Sequence, residues 1–510
     1  MTTTTPDHTL PPRPEAADTG GTTGVRARRP DQQSSRLLKR LHFFAGVFCA
    51  PLILVAAVTG LLYAFAPTVE EVVDHDMLTT TAPDGATDAD RLPVSGLVST
   101  AQAEYPDLTL AGVRIGGDDE TTRVLFNDPD LPESTTRAVF LDPWTGDVTG
   151  DSTQYGSSGS LPLRQWLSEG HRMAWLGDTG RLYSETAASW LGVLAVGGLV
   201  MWWQRHRSVS SMLRTGGSGR VRTMRRHGAT GTVVAVGMIF LTVTGLTWSS
   251  VAGTNIGQLR ENLSWGTPSV SSELPGAVGV PSSAGDESSS GAHAGHGAHA
   301  GHDMSGGSGA ATGVRVSGLN AGAIDRVAAT ARAELRTPVT LTPPTAEGQT
   351  WTASENRVPY RLTNDSVAID WATGDVTDRL NFSDMPLAAQ ATAWLIQLHM
   401  GTLFGLPNQI VLGLLAAAII AMICWGYAMW WKRRPRKRVD ASGFTPLAAA
   451  PPRPRWSRPT TGTAILVMAL VVYGIVAPLF GITCLAFVVV STLWDAARRR
   501  FGVPLSTPPR

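Results

Sequence analysis

Five uncharged apolar runs, at 43–69, 186–203, 228–257, 403–431 and 461–494, constrain this chain more than any other feature. A membrane-crossing helix needs about 20 consecutive apolar residues. Runs of this length with no charge predict a multi-pass helical membrane protein. Charge is segregated rather than scarce: 16% of residues are charged and the formal net charge is +1. No basic surplus remains to point to nucleic acid, and lipid is the implied surrounding.

The flanks of the runs predict orientation. Arg36, Lys39 and Arg40 precede the first run, and 205–226 holds seven arginines and no acid. Lys432 to Arg438 follow the fourth run. Positive loops stay in the cytoplasm, so both termini are expected there and the long segments 70–185 and 258–400 outside. Residues 1–35, rich in Thr, Pro, Gly and Arg, read as a disordered cytoplasmic tail. The first run starts too far from Met1 for a cleavable signal peptide, so it is expected to be a retained helix.

The predicted layout follows. Helix 1 spans 36–69, then come external segment 70–185, helix 2 at 186–204 and a basic loop at 205–226. Helix 3 spans 227–257, then external segment 258–400 and helix 4 at 401–431. A basic, Pro-rich linker at 432–460 leads to a terminal hairpin at 461–495 and a cytoplasmic tail at 496–510. Pro478 sits mid-way in the last run and basic residues flank both ends. Six helices are therefore expected, with five as the alternative.

The chain is written twice. His42 is followed by Gly46 and Gly60, and His227 by Gly231 and Gly245, at the same spacings of four and eighteen. Thr59 and Thr244 precede the second glycine of each set. His171 is followed by Gly177 and by Trp202–Trp203, and His399 by Gly405 and by Trp430–Trp431, again in equal register. The external segments repeat too, with LDPWTGDVTG at 141–150 and IDWATGDVT at 369–377. Helical patterns at 94–105 and 319–335 precede these. Strand-like runs fall at 122–126, 137–141, 339–341, 350–353 and 366–369. Thr-Gly-Asp predicts a tight turn between strands. The expected fold is a mainly α membrane bundle of two parallel repeats with two small external α+β domains.

A helix and strands ending in Asp-x-x-Thr-Gly-Asp resemble a PepSY domain. Two such units set between helices headed by histidines resemble the PepSY-associated transmembrane helix family over about residues 36–435. That family includes iron-regulated membrane proteins and ferric-siderophore reductases that carry haem. The resemblance implies a bacterial inner (plasma) membrane location, oxidoreductase activity, and ferric iron held by a siderophore as the external electron acceptor.

Parallel repeats place a pseudo-two-fold axis along the membrane normal. It relates His42 to His227 at the cytoplasmic end and His171 to His399 at the external end. Two facing imidazoles are the axial set of a b-type haem, which exchanges one electron. Two non-covalent haems are therefore expected, with Gly46, Gly60, Gly231 and Gly245 clearing space for them. The other readings are interfacial histidines and glycines that only let helices pack closely. No glycine-rich nucleotide fingerprint occurs, so the electron donor is expected to be a separate partner.

Cys49, Cys424 and Cys484 lie in apolar runs and read as buried small apolar residues. No Cys-x-x-Cys-His occurs, which excludes covalent c-type haem. Within a low-complexity insert at 281–313, His293, His296, His299 and His302 recur every third residue. Such a tract binds a divalent or copper ion loosely. It supports an alternative reading as a haem-free metal-handling protein. A regulatory or scaffolding PepSY protein is the other alternative.

Overall fold

The computed structural model describes residues 32–205, 219–274, 320–432 and 460–500. Four helices among them are long and apolar enough to cross a membrane: α2 (Ala50–Val73), α6 (Gly177–Arg205), α7 (Gly219–Thr247) and α11 (Leu406–Trp431). Two shorter apolar helices, α12 (Thr461–Val476) and α13 (Pro478–Arg500), pack on each other as a hairpin. Ala477 and Pro478 mark the break, because proline starts a helix readily but cannot continue one.

The spans carry apolar side chains on their outer faces. Val233 is 81% exposed, Val236 76% and Leu414 67%. In water such faces would be costly, whereas in hydrocarbon they meet a solvent as apolar as themselves. This chain is a helical membrane protein.

The first apolar run does not form one unbroken helix. α1 (Gln32–Phe48) meets α2 at Cys49. Pro51 lacks an N–H and so leaves the carbonyl of Val47, four residues back, without its helical donor. The hydroxyl of Tyr427 on α11 donates to that carbonyl at 2.8 Å. The third run is also interrupted. α7 ends at Thr247, and α8 (Val251–Asn262) starts after a bend at 248–250. The buried carboxylate of Glu185 accepts the N–H groups of Val251 and Ala252 at 2.9 and 3.0 Å, satisfying donors that a helix start leaves free.

Beyond the spans lies an antiparallel sheet. α3 (His75–Leu78) and α4 (Val94–Glu104) lead into β1 (Thr109–Ile115), β2 (Thr122–Asn127), β3 (Thr135–Leu141) and β4 (Val148–Tyr155). α9 (Ala321–Glu334) leads into β5 (Val339–Thr342), β6 (Trp351–Glu355), β7 (Ser366–Ile369) and β8 (Val376–Leu380). The two Thr-Gly-Asp segments are the β3–β4 and β7–β8 turns. Gly146 (φ +81°) and Gly374 (φ +87°) donate to the carbonyls of Asp142 and Asp370. Only glycine takes that backbone without strain.

The strands of the two expected external α+β units share one sheet. The strand order is β4-β3-β2-β1-β5-β6-β7-β8, one eight-stranded sheet. β1 and β5 join the halves antiparallel, with Arg114 opposite Thr340. Each half alone would leave a first strand with an unpaired edge, and pairing the two edges satisfies both. α4 and α9 cover one face, over a shared core that includes Leu110, Phe126, Leu341 and Trp351. On the other face Leu125, Ala138 and Phe140 pack with Leu161.

Two short helices tie the sheet to the spans. α5 (Pro162–Met173) follows β4 and precedes α6, and α10 (Leu387–Met400) follows β8 and precedes α11. Of the three cysteines only Cys49 is buried, and Cys424 is exposed on α11. The expectation that all three are buried fails because α11 turns that face outward, where an apolar run needs no protein partner.

Candidate functional site: two facing histidine pairs

His171 lies near the end of α5 and His399 near the end of α10. Each helix stops in a left-handed turn. Gly177 (φ +59°) and Gly405 (φ +55°), the glycines six residues past each histidine, stand just before or at the start of the following span. The turns fold each short helix back against the spans. The imidazoles of His171 and His399 then face each other with ring centroids 6.3 Å apart.

At the other end of the bundle, His42 of α1 and His227 of α7 stand with centroids also 6.3 Å apart, nearly perpendicular at 87°. On α7, His227 and Thr244 are seventeen residues apart, about 26 Å at 1.5 Å per residue. Because Thr244 touches His399, the two pairs sit at opposite ends of the spans.

The hydrogen bonds decide the tautomers. Nδ1 of His171 lies 3.0 Å from the carbonyl of Ala56, and Nδ1 of His227 lies 3.0 Å from that of Met422. A carbonyl only accepts, so each Nδ1 carries the proton and Nε2 keeps its lone pair. For His399 the partner is the Thr244 hydroxyl at 2.6 Å. That hydroxyl gives its one proton to the carbonyl of Phe240 at 2.8 Å, so it accepts from Nδ1–H. Thr59 repeats the arrangement: it donates to Val55 at 2.8 Å and stands 3.3 Å from Nδ1 of His171. His42 differs. Its Nδ1 is buried without a hydrogen-bond partner among the described residues.

The centroid spacing of each pair is the one that a metal held between two imidazoles would give. With each metal–nitrogen bond about 2 Å and each ring centre about 1.1 Å behind its nitrogen, the centroids fall about 6.2 Å apart. Both pairs meet that spacing, and three of the four rings have the backing partner on the second nitrogen that such ligands need. All four histidines are half-buried. The rings near His399 are aromatic, with Trp248 at 5.4 Å and Phe240 at 6.2 Å, which favours a large flat apolar group.

The predicted glycines divide. A Cβ on Gly60 would come 2.9 Å from Cε1 of His171, so this glycine gives the ring its room. Gly46 faces open space, Gly231 borders Met422, and Gly245 borders Ala188. Gly197 and Gly198 of α6 border the His42 ring instead. A methyl added at either would lie 3.8 or 3.5 Å from that ring, and spacing from His42 does not point to them. Thr59 and Thr244 are the other residues that sequence reasoning passed over. Their signal was present: a threonine before the second glycine in both halves.

His75 begins α3, apart from both pairs, with Thr79 as its neighbour. The tract His293, His296, His299 and His302 lies outside the described residues, as do His8 and His206. Among the described residues no group of three or more His, Cys, Asp or Glu could hold a metal ion.

No curated protein matches this chain. A family model described as the PepSY-associated TM region matches residues 39–433, which takes in all four long apolar helices, the whole sheet and both histidine pairs. The chain belongs to the PepSY-associated TM region family.

Proposed function

We propose that this chain carries electrons across a membrane on two haem b groups, one held by His42 and His227 and one by His171 and His399. The observation that carries the reading is the common 6.3 Å spacing of two histidine pairs at opposite ends of one bundle. When bound, haem supplies a one-electron couple whose potential follows its ligands and surroundings. The chain's own residues prepare for it. Ala56, Thr59, Met422 and Thr244 hold Nδ1–H on three rings, which keeps each Nε2 available. Gly60 gives the His171 ring its place.

We read the architecture as two parallel repeats, each with a PepSY-like α+β unit. The matching order of α4 with β1–β4 and α9 with β5–β8 supports this, as does the antiparallel meeting of the two first strands. The arginine-rich flanks support cytoplasmic termini in a bacterial inner membrane, with the sheet outside. An inside-negative potential then favours outward electron flow by about 2.3 kcal/mol per 100 mV for full crossing. The acceptor is ferric iron, held by a siderophore: reduction loosens hard oxygen ligands. A separate reductase, quinol or diffusible reductant supplies the electrons.

The test is an absorption spectrum of the purified protein, oxidised and dithionite-reduced, with haem counted per chain. Sharp reduced bands and about two haems are expected, falling to about one on either His42→Ala or His399→Ala. A colourless protein from haem-replete cells overturns the reading.

A further inference from the structure

A cleft opens between α8, the loop after β6 and α10. It is a small, open depression, and Arg260 and Arg357 are both among the residues that line it. Phe382 and Ile396 form part of its apolar wall, and Asn364 and Thr392 add polar groups. Among the described residues no carboxylate lines it.

Both guanidiniums lack a counter-charge among the described residues. Arg357 makes no hydrogen bond or ion pair there. Arg260 donates one bond, from its terminal nitrogen to the carbonyl of Trp265 at 3.3 Å, and its Nε is buried without a partner. Burial lowers the pKa of both, that of Arg357 to about 10, and no acid offsets the effect. Both guanidiniums are half-buried with no acid beside them, an arrangement that an anion in the cleft would stabilise. Neighbouring arginines are treated differently. Arg336 holds Glu355, two residues before Arg357 in the chain, at 3.0 Å.

The place of the cleft gives it meaning. Ile396 lies one turn before His399 on α10, so the cleft runs along the helix that presents this ligand candidate. Thr392 stands seven residues before His399, as Arg164 stands seven before His171. At Arg164 the protein supplies its own acid: Glu70 lies 3.0 Å away and both side chains are buried. On the His399 side the positive charges are present and the acid is not.

We infer that Arg260 and Arg357 form an anion-binding site that takes a carboxylate group beside the His171/His399 pair. The planar guanidinium fork matches a carboxylate's two oxygens. Two sources share this chemistry. One is a carboxylate side arm of the haem, an assignment that rests on the function proposed above. The other is a soluble carboxylate-bearing anion arriving from the sheet side, such as an iron chelate, and this source stands independently of haem.

The experiment uses the full chain in detergent, as purified. Citrate is titrated by calorimetry at low salt, and the haem content and midpoint potentials are measured in parallel. If the occupant is soluble, citrate binds, and Arg357→Gln or Arg260→Gln weakens it about tenfold or more. Arg357→Lys restores part of the affinity. If the occupant is the cofactor's own side arm, citrate does not bind, and Arg357→Gln shifts the potential or occupancy of one haem of the two. Thr392→Glu supplies an internal acid and is expected to abolish either effect, which keeps the test open should an arginine variant fail to fold. A protein that binds no citrate and whose haems ignore Arg260→Gln, Arg357→Gln and Thr392→Glu overturns the site. A colourless protein that still binds citrate through these arginines overturns the haem reading and leaves the site standing.

Discussion

The hydroxyl of Thr244 stands 2.6 Å from Nδ1 of His399 while donating its own proton to the carbonyl of Phe240. Thr59 stands in the same relation to His171, with Val55 as its acceptor. In both cases a threonine on a long helix fixes a histidine on a short one, and fixes its tautomer too. Thr244→Val removes the acceptor at nearly constant volume. Loss of such a partner lowers metal-ligand affinity about 10–100-fold, so haem at the sheet-side pair should be retained less well on dilution. Thr244→Ser should behave as wild type. Haem counted per chain after gel filtration reads the difference, and full retention in Thr244→Val would refute an orienting role.

Gly60→Ala forces a methyl to 2.9 Å from the His171 ring. The ring must tilt or the helices must part. The expected outcome is an altered reduced spectrum for one haem of the two, with the His42/His227 haem unchanged. Gly46→Ala meets nothing within 4 Å and serves as the control. A large effect at Gly46 would instead show that a bound group fills that space.

The Glu70–Arg164 pair bridges α2 and α5 with both partners buried, and Glu70 also accepts the N–H of Leu161 at 2.6 Å. Glu70→Gln leaves a guanidinium without its counter-charge. Breaking one side of a buried pair costs about 3–5 kcal/mol, so a large fall in thermal stability is expected. The double variant Glu70→Gln, Arg164→Met should recover part of it, because no charge is then stranded. Thermal unfolding in detergent, followed by circular dichroism, compares the three.

Tyr427→Phe removes only the hydroxyl that satisfies Val47 opposite Pro51. A single hydrogen bond of this kind contributes about 1 kcal/mol, so a modest loss of stability is expected. Pro51→Ala restores the helical donor from residue 51. In that background Tyr427→Phe should cost less, and equal costs in both backgrounds would show that the proline has nothing to do with the bond.

Much of this molecule is legible in its sequence, for a local reason. Uncharged runs such as 403–431 need no distant contact to declare a span, because the solvent they require is lipid. The Thr-Gly-Asp segments declare turns because Gly146 and Gly374 supply backbone angles that other residues resist. The equal spacings behind His42 and His227, and behind His171 and His399, place the histidines in matched positions before any tertiary contact is considered.

Tertiary structure alone decided the rest. Nothing local to Thr109–Ile115 or Val339–Thr342 says that these strands pair with each other, because two free strand edges meet only when the spans bring them together. The repeat marks Thr59 and Thr244 as matched positions but does not say which imidazole each holds, since each threonine and its histidine lie more than a hundred residues apart. The lone guanidiniums of Arg260 and Arg357 become visible only once α8, α10 and the loop after β6 enclose one cleft. Spans and turns follow from the chemistry of neighbouring residues. Partners across the fold follow from packing, which a linear sequence does not contain.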